Sequence, residues 1–288
     1  MSESIMVFPE LPELGLIQDY HIVAHQHERF TYRLECDLGH VIVKECASEA
    51  EGEKHSLLHG LGVPVPEILF LRDKWIVMQD LAKEPWRLAT EKDLSDCDVA
   101  DALAHWYLQF HKLGSAYLRT QERLSTLHCE MDFLLPEHLD RITERFKLTR
   151  HRKWKAVQHI IPNLLRWVHE QPQTLNYNDF YYTNFALNSE NSLQAMVFDY
   201  DQLGYGIAAS DVLNVCSSLS TQAQLAFKLT YGEVSDTQLS VVRPLSEIYS
   251  LVMMLDRPRL PEWATATVQA ITSGSLLEEM TKAALLVF

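Results

Sequence analysis

The hydrophobic pattern of the chain changes near residue 80, and this change limits the folds that the chain can adopt. Before it, TYRLE places Tyr32 and Leu34 on one face, and HVIVKEC follows a turn at 37–40. EILFLR and KWIVMQD are separated by a second turn at 72–74. Alternation of apolar and polar residues is typical of half-buried strands, so the pattern predicts two hairpins.

One helix is predicted between these hairpins. SEAEGEKHSLLHGLG, residues 48–62, has a Ser and acidic residues in its first turn and ends at Gly62. These are the start and stop signals of a helix. The prolines of VPVP then prevent a further helical turn. Residues 1–80 are therefore expected to form a small lobe that contains an antiparallel sheet and one helix.

After residue 80, apolar residues recur at helical spacing. DVADALAHWYLQFHKLG carries them at Val99, Leu103, Trp106, Tyr107, Phe110 and Leu113. Residues 175–206 are the exception, because they are predicted to form a loop, two short strands and a second loop. We expect an α+β fold with two lobes, residues 1–80 and residues 81–288, of which the second is mostly helical.

Composition narrows the classes of partner. The 39 acidic and 25 basic residues give a formal net charge of -14, which disfavours general affinity for nucleic acid or anionic membranes. No segment approaches the roughly 20 apolar residues of a membrane helix, and the N-terminus lacks a signal-peptide pattern. The five cysteines are scattered without CxxC spacing, so neither a disulfide framework nor a zinc site is indicated. We expect a cytoplasmic protein with no nucleic-acid or membrane partner.

The stretch LNYNDFYYTNFAL, residues 175–187, places Asp179 and Asn184 inside an aromatic run. Both residue types are poor strand formers and are costly to bury unless a partner satisfies them. The stretch is therefore predicted to be a rigid loop that holds a carboxylate and an amide. Asp199 ends the apolar AMVF segment that follows this loop.

Two further charged residues complete a set that suits phosphoryl transfer. Lys44 follows the apolar HVIV segment, and Glu53 lies on the predicted helix. Phosphoryl transfer from ATP needs a lysine for the phosphates, a carboxylate that orients it, a base, and oxygen ligands for magnesium. Taken singly, Lys44 also fits a solvated sheet edge, and Asp179 and Asn184 fit turn or capping positions.

In this order, the motifs resemble the aminoglycoside phosphotransferase and choline kinase family, the small-molecule branch of the protein-kinase-like fold. The motifs are VIVK at 41–44, EGEK at 51–54, VPVPEIL at 63–69, VMQDLA at 77–82, NDFYYTN at 178–184, VFDYDQLGYG at 197–206 and SDV at 210–212. The resemblance implies a kinase-like fold with a small antiparallel-sheet lobe and a mostly helical lobe. It also implies ATP- and magnesium-dependent phosphorylation of a hydroxyl group on a small molecule.

The resemblance also implies a role for each residue. Asp179 would be the catalytic base, Asn184 and Asp199 would hold Mg²⁺, and Lys44 would bind the phosphates while Glu53 pairs with it. A hinge between the lobes would place backbone groups against the adenine, and it comprises Met78, Gln79, Asp80, Leu81 and Ala82. Asp211 resembles the buried aspartate that braces the catalytic loop.

Two departures from the family pattern keep a second function open. Tyr177 stands where the family loop usually has His, and HQHERF, residues 25–30, contains no glycine although it lies where a loop should cover the phosphates. The alternative is a nucleotide-binding pseudokinase that acts as an interaction or regulatory protein.

The acceptor is left open among aminoglycoside-, choline- and sugar-like molecules, and the donor between ATP and GTP. The negative net charge favours a cationic or neutral acceptor. Acidic residues of the second lobe are available to meet ammonium groups, namely Asp201, Glu233, Asp236 and Glu247. The rings of Phe180, Tyr181 and Tyr182 fit cation binding and loop packing equally well. The pattern does not indicate an oligomeric state.

Overall fold

Five antiparallel strands form the predicted N-terminal sheet. The structure is a computed structural model that describes residues 11–26, 29–190 and 194–288. The strands are β1 (Ile17–Gln26), β2 (Arg29–Cys36), β3 (Gly39–Glu45), β4 (Ile68–Arg72) and β5 (Trp75–Gln79), in the order β1-β2-β3-β5-β4. The two predicted hairpins correspond to β2–β3 and β4–β5. β1 adds a further strand at the edge, where its residues 19–25 are exposed.

Alternating side chains of this sheet form a small core. Tyr32 and Leu34 on β2, Val41 and Val43 on β3, and Val77 on β5 are all buried in one cluster. Successive side chains of a strand point to opposite faces, so the other face stays free for charged residues such as Lys44.

The helix α1 (Ala50–Leu61) connects the sheet to the rest of the protein. It ends at Gly62, whose φ of 80° is the left-handed conformation that favours glycine at a helix C-terminus. Leu58, Val63 and Val65 are buried in the main core of the second lobe. The indole Nε1 of Trp106 donates to the Pro64 carbonyl at 2.8 Å. These contacts hold α1 against the helical lobe.

The second lobe is mostly helical, as predicted. Its helices are α2 (Cys97–Thr120), α3 (Pro136–Arg145), α4 (Arg152–Glu170), α5 (Ala208–Ser218), α6 (Thr221–Tyr231), α7 (Asp236–Met253), α8 (Glu262–Ser273) and α9 (Ser275–Val287). One apolar cluster surrounds α2, and a second lies among α4, α7, α8 and α9. Within the described residues, we find no helix with the length and apolar character needed to cross a membrane.

Short strands inside the helical lobe place the polar loops. They are β6 (Trp86–Leu88), β7 (Thr174–Asn176), β8 (Phe185–Asn188), β9 (Ala195–Val197) and β10 (Gly204–Gly206). β6, β8 and β9 form one small antiparallel sheet, and β7 pairs with β10. β7 lies so close to α2 that a Cβ on Gly114 would meet the Leu175 nitrogen at 2.7 Å. This packing sets the start of the loop that contains Asp179.

The five-stranded sheet ends at Gln79, and β6 already belongs to a sheet of the helical lobe. The boundary between residues 80 and 81 stays a prediction. Residues 27–28 of the HQHERF segment and residues 191–193 of the predicted turn after β8 lie outside the described residues.

Candidate active site

Asp211 fixes the beginning of the loop after β7. Its carboxylate accepts the backbone N–H of Tyr177 at 2.8 Å and that of Asn178 at 3.0 Å. Asp211 is buried on α5, and Asn178 has a φ of 66°. An unpaired buried carboxylate is costly, so these hydrogen bonds bind the loop and the helix to each other. This contact is what the resemblance led us to expect of Asp211.

His111 on α2 adds a second support for Asp211 that sequence analysis missed. Its Nε2 lies 3.0 Å from Asp211 Oδ2, and its Nδ1 lies 2.7 Å from the Tyr231 hydroxyl. Because a carboxylate only accepts, Nε2 carries the proton and Nδ1 accepts from the tyrosine. The loop is therefore held by residues of α2, α5 and α6. A lone His in a helical segment has no sequence signal for such a role.

Asp179 and Asn184 contact each other across the loop. Asn184 Nδ2 donates to the Asp179 backbone carbonyl at 3.1 Å and to Asp179 Oδ2 at 3.2 Å. Burial and then the nearby Asp199 and Asp201 carboxylates raise the pKa of Asp179 to about 6, against the lowering effect of Lys44 and Asn184. A carboxylate with this pKa is a better proton acceptor near neutral pH than an ordinary aspartate.

Lys44 on β3 lies between two carboxylates. Its Nζ is 2.5 Å from Glu51 Oε1 on α1 and 2.7 Å from Asp199 Oδ1 after β9. Burial alone lowers the pKa of the Lys44 ammonium, but Glu51 and Asp199 outweigh burial and raise it above its ordinary value. Lys44 therefore remains a cation and connects the sheet, α1 and the helical lobe.

The predicted pairing of Lys44 with Glu53 is wrong, because Glu51 occupies that position. Each residue turns an α-helix by about 100°, so residues two apart point to nearly opposite sides. Glu51 is buried at Lys44, whereas Glu53 is exposed beside Asp73 and Lys74. The helical phase carries a signal that sequence analysis did not use, since Glu51 shares the face of the buried Leu58 seven residues later.

Several hydrogen bonds hold the segment around Asp199. Tyr177 Oη donates to the Phe198 carbonyl at 2.6 Å, and the Tyr200 hydroxyl donates to the Val197 carbonyl. Lys54 Nζ on α1 donates to the Asp201 carbonyl at 2.6 Å. Asp199 itself has a φ of 69°. The Tyr that replaces the family His thus supports the backbone of the segment that carries Asp199.

The hinge residues have another set of contacts. Asp80 is buried, and its Oδ2 lies 2.7 Å from Arg33 Nε, while its Oδ1 accepts the Ala82 N–H at 3.0 Å. The Gln79 N–H donates to the Glu67 carbonyl at 2.9 Å. Met78, Gln79, Asp80 and Leu81 do not line the cleft that holds Lys44, so their contact with a nucleotide stays a prediction.

A cleft of about 550 Å³ contains the remaining predicted residues. Lys44, Asp179, Asn184 and Asp199 line it together. Other side chains on its wall are Ala24, Arg29, Thr31, Glu45, Glu51, Asn178, Tyr181, Thr183, Asp201, Gln202, Tyr249, Met253 and Arg257. The structure thus brings into one cleft four residues that lie far apart in the sequence, and it leaves Glu53 outside.

A second cavity of about 580 Å³ adjoins the first at Asn178, Asp179 and Tyr249. Its other residues are Glu130, Phe180, Ser210, Leu213, Asn214, Ser217, Arg243, Ser246, Glu247, Ser250 and Trp263. Of the acidic residues considered from sequence, Glu247 lines this cavity and Asp201 lines the first, whereas Glu233 and Asp236 line neither.

Two carboxyls of the second cavity are shifted toward the neutral form. Burial, and then Asp211, raises the pKa of Glu130 to about 8. Burial, and then Glu279, raises the pKa of Glu247, while Arg243 opposes the shift. Sequence analysis missed Glu130, because it lies in a short 3₁₀ turn with no motif around it. A positive ligand group would favour the charged form of both.

The aromatic run divides between packing and cavity lining. Phe180 is buried and stacks on Phe185 with ring centroids 5.8 Å apart. Tyr181 is exposed and lines the first cleft.

Comparison with known proteins identifies the family. Residues 23–245 match the family model described as the phosphotransferase enzyme family, APH. A comparison with curated proteins gives no match. Similar solved structures include the choline kinase LicA from Streptococcus pneumoniae, with a TM-score of 0.67 at 13% identity over 93% of this chain and 96% of that chain.

Two aminoglycoside phosphotransferase structures are also similar. ADP-bound APH(2'')-Ib has a TM-score of 0.66 at 16% identity, over 94% of this chain and 96% of that chain. The GDP and kanamycin complex of APH(2'')-IIIa has a TM-score of 0.64 at 15% identity, over 92% and 95%. These similarities confirm the kinase-like two-lobe fold. With the family match over most of its length, the chain belongs to the phosphotransferase enzyme family.

Proposed function

We propose that the protein transfers the terminal phosphoryl group of ATP or GTP, with magnesium, to a hydroxyl group on a small molecule. The observation that carries this proposal is the arrangement of Lys44, Asp179, Asn184 and Asp199 around one cleft. A cation for phosphate, a carboxylate base and two oxygen ligands for a metal ion are the parts that this reaction needs.

Lys44 is suited to bind phosphate oxygens. It is a permanent cation, and its two carboxylate partners hold its Nζ at the wall of the cleft. Charge-assisted hydrogen bonds to phosphate are stronger than neutral ones. The similar structures carry AMP, ADP or GDP, which supports a nucleotide in the cleft and leaves the base of the donor open.

The donor atoms of Asn184 and Asp199 fit magnesium. Asn184 uses its Nδ2 on Asp179, so its Oδ1 faces away from that carboxylate and is contacted by the Thr183 hydroxyl at 3.2 Å. Asp199 uses Oδ1 on Lys44 and keeps Oδ2 for another partner. Hard oxygen ligands of this kind are the ones that magnesium takes in phosphoryl-transfer sites. Bound magnesium would neutralise charge on the phosphate oxygens.

Asp179 lies between the two cavities, where it can orient the hydroxyl of an acceptor toward a nucleotide. In the transfer, the hydroxyl oxygen bonds to the terminal phosphorus, the bond to the leaving nucleoside diphosphate breaks, and Asp179 takes the hydroxyl proton. Its pKa of about 6 keeps most of this carboxyl deprotonated at neutral pH. Positioning of the hydroxyl accounts for much of its effect, because a loose transition state asks little of a base.

The second cavity is the proposed acceptor site, and its chemistry favours a cationic or neutral molecule. Glu130 and Glu247 provide carboxyls, Tyr249 and Trp263 provide ring faces, and the lining serines and Asn214 provide hydrogen bonds. Among the similar structures, one is a choline kinase and another is a complex with kanamycin. An amino alcohol or an aminoglycoside is therefore the acceptor class that we propose to test first.

The test combines calorimetry with an assay of nucleoside diphosphate release. We expect ATP or GTP to bind more tightly with Mg²⁺, and a screen of choline, ethanolamine, other amino alcohols, aminoglycosides and sugars to yield a phosphorylated product. Nucleotide binding without turnover on any acceptor would favour the pseudokinase, and absence of nucleotide binding under every metal condition would contradict both.

A matched pair of variants tests the acceptor site. Glu247→Gln should raise KM for a cationic acceptor and leave KM for a neutral acceptor unchanged. Glu233→Gln is the control, because Glu233 is exposed on the same lobe and lines neither described cavity. A best acceptor that carries a carboxylate or phosphate would contradict the electrostatic part of the proposal.

A further inference from the structure

Three side chains that ligate transition metals meet outside the two cavities. Cys129 Sγ, a carboxylate oxygen of Asp132 and a ring nitrogen of His169 all lie within 4.8 Å of one another. Cys129 and Asp132 flank Glu130 in the 3₁₀ turn Glu130–Phe133, and His169 lies in the last turn of α4. Their distance along the chain explains why no metal spacing was visible in the sequence.

The geometry of the cluster suits a tetrahedral ion. His169 Nε2 lies 3.4 Å from Asp132 Oδ1. In a tetrahedral zinc site with bonds of about 2.0–2.1 Å, neighbouring nitrogen and oxygen ligands lie roughly 3.3 Å apart. The side chains of Asp132 and His169 are 49% and 41% exposed, so an ion can reach them from solvent.

Other groups orient these side chains. The Tyr205 hydroxyl donates to Asp132 Oδ2 at 3.3 Å, which leaves Oδ1 directed to His169. Hydrogen bonds from the backbone N–H groups of Met131 and Asp132 to Cys129 favour a thiolate. A second group that holds a ligand's other oxygen is a common feature of metal sites.

The 3₁₀ turn is also held firmly in place. A Cβ on Gly204 would lie 2.1 Å from the His128 carbonyl, and the Tyr205 N–H donates to that carbonyl at 3.1 Å. Only glycine at 204 permits this approach of β10 to the turn. The thiol and carboxylate are thus held on a rigid segment, which lowers the cost of ordering them around an ion.

We propose that Cys129, Asp132 and His169 bind one zinc ion, with water in the fourth position. The thiol proton leaves to solvent as the sulfur binds, and the zinc–sulfur bond replaces the S–H bond. A thiolate, an imidazole and one carboxylate suit zinc, whereas magnesium prefers oxygen ligands. This site is therefore distinct from the one proposed at Asn184 and Asp199.

Zinc at this position joins the end of α4 to the turn that carries Glu130. Because Glu130 lines the second cavity, the ion stabilises one wall of that cavity from behind. The inference itself does not depend on the proposed reaction, since the ligands, their distances and the test concern metal binding alone.

Zinc binding to tag-free, metal-stripped protein tests the inference by competition with a fluorescent chelator. We expect one zinc ion per chain, retained in excess Mg²⁺, and a rise in Tm when it binds. His169→Gln and Asp132→Asn should each weaken zinc binding at least about tenfold, since loss of even a group that only orients a ligand costs roughly 10–100-fold. Cobalt in place of zinc should give a thiolate charge-transfer band that Cys129→Ser removes.

Two variants serve as matched controls. His159→Gln changes an exposed histidine on α4, and Cys97→Ser changes an exposed cysteine, and both should bind zinc like the unaltered protein. Because Cys129 is buried and its replacement can destabilise the fold, the exposed His169 decides the question. Absence of tight zinc binding, or equal binding by His169→Gln and His159→Gln, would overturn the proposal.

Discussion

The hydroxyl of Tyr177 donates a hydrogen bond to the backbone carbonyl of Phe198, 2.6 Å away. Tyr177 is fully buried and precedes Asp179 by two residues, while Phe198 directly precedes Asp199. The Tyr that departs from the family pattern therefore links the two loops that carry the proposed base and a proposed metal ligand.

Replacing Tyr177 with Phe should weaken both the fold and the proposed metal site. The Phe198 carbonyl loses its buried donor, so the free energy of unfolding should fall by about 1–3 kcal/mol. Mg²⁺–nucleotide binding should weaken more than nucleotide binding without metal, because the change acts on the segment around Asp199. Urea unfolding and calorimetry measure the two effects. Tyr181→Phe, an exposed change in the same loop, is the control, and equal behaviour of the two variants would contradict this role.

Exchange of the two helix carboxylates tests the partner of Lys44. Glu51→Gln removes one charge from the pair at 2.5 Å and should weaken nucleotide binding roughly 10-fold or more, in line with the cost of a charged hydrogen bond. Glu53→Gln should leave binding unchanged, because Glu53 is exposed and remote from Lys44. Calorimetric titration with ATP and Mg²⁺ compares them. The assignment of Glu51 fails if Glu53→Gln has the larger effect.

Replacing Asp179 with Asn should remove turnover and preserve the fold. Loss of the base and of hydroxyl positioning should lower kcat by about 10²-fold or more. Nucleotide affinity should stay close to that of the unaltered protein, since Lys44 keeps both its carboxylate partners. Diphosphate release with the best acceptor gives kcat, and calorimetry gives affinity. Turnover at the original rate would sink the assignment of Asp179 as the base.

Stability should depend on pH through His55 on α1. Its Nε2 donates to the Pro66 carbonyl at 2.7 Å, its ring packs edge-on against Tyr200, and burial lowers its pKa to about 4. The unfolded chain takes up this proton near pH 6.5, whereas the folded chain resists until about pH 4. The free energy of unfolding should therefore decrease as pH falls through this range, by at most about 3 kcal/mol.

Urea unfolding between pH 7 and pH 4 measures this dependence. His55→Gln keeps a side-chain N–H donor but cannot titrate, so its stability should fall less with pH. His59→Gln, exposed on the same helix, should follow the unaltered protein. Identical pH dependence in all three proteins would show that another group is responsible.

Sequence analysis identified the residues whose neighbours are local. Lys44 and Asp199 each follow an apolar segment that becomes a buried strand, and Asp179 and Asn184 stand in an aromatic loop where polar residues need a reason. Their presence in one cleft is observed, while their roles in the reaction stay predictions. The choice of Glu53 over Glu51 was wrong because two neighbouring acidic residues look alike until the buried face of α1 is known.

The sequence by itself determined the order of strands and helices, the loop after β7 and the family, because alternation, helical spacing and ordered motifs are local properties of the chain. Only the tertiary structure decided which carboxylate meets Lys44, how His111 and Tyr177 support the loops, and that Glu130 faces the acceptor cavity. The same holds for the meeting of Cys129, Asp132 and His169. Contacts between distant segments depend on how helices and sheets pack, and the periodicity of a segment predicts which face is buried but not what that face meets.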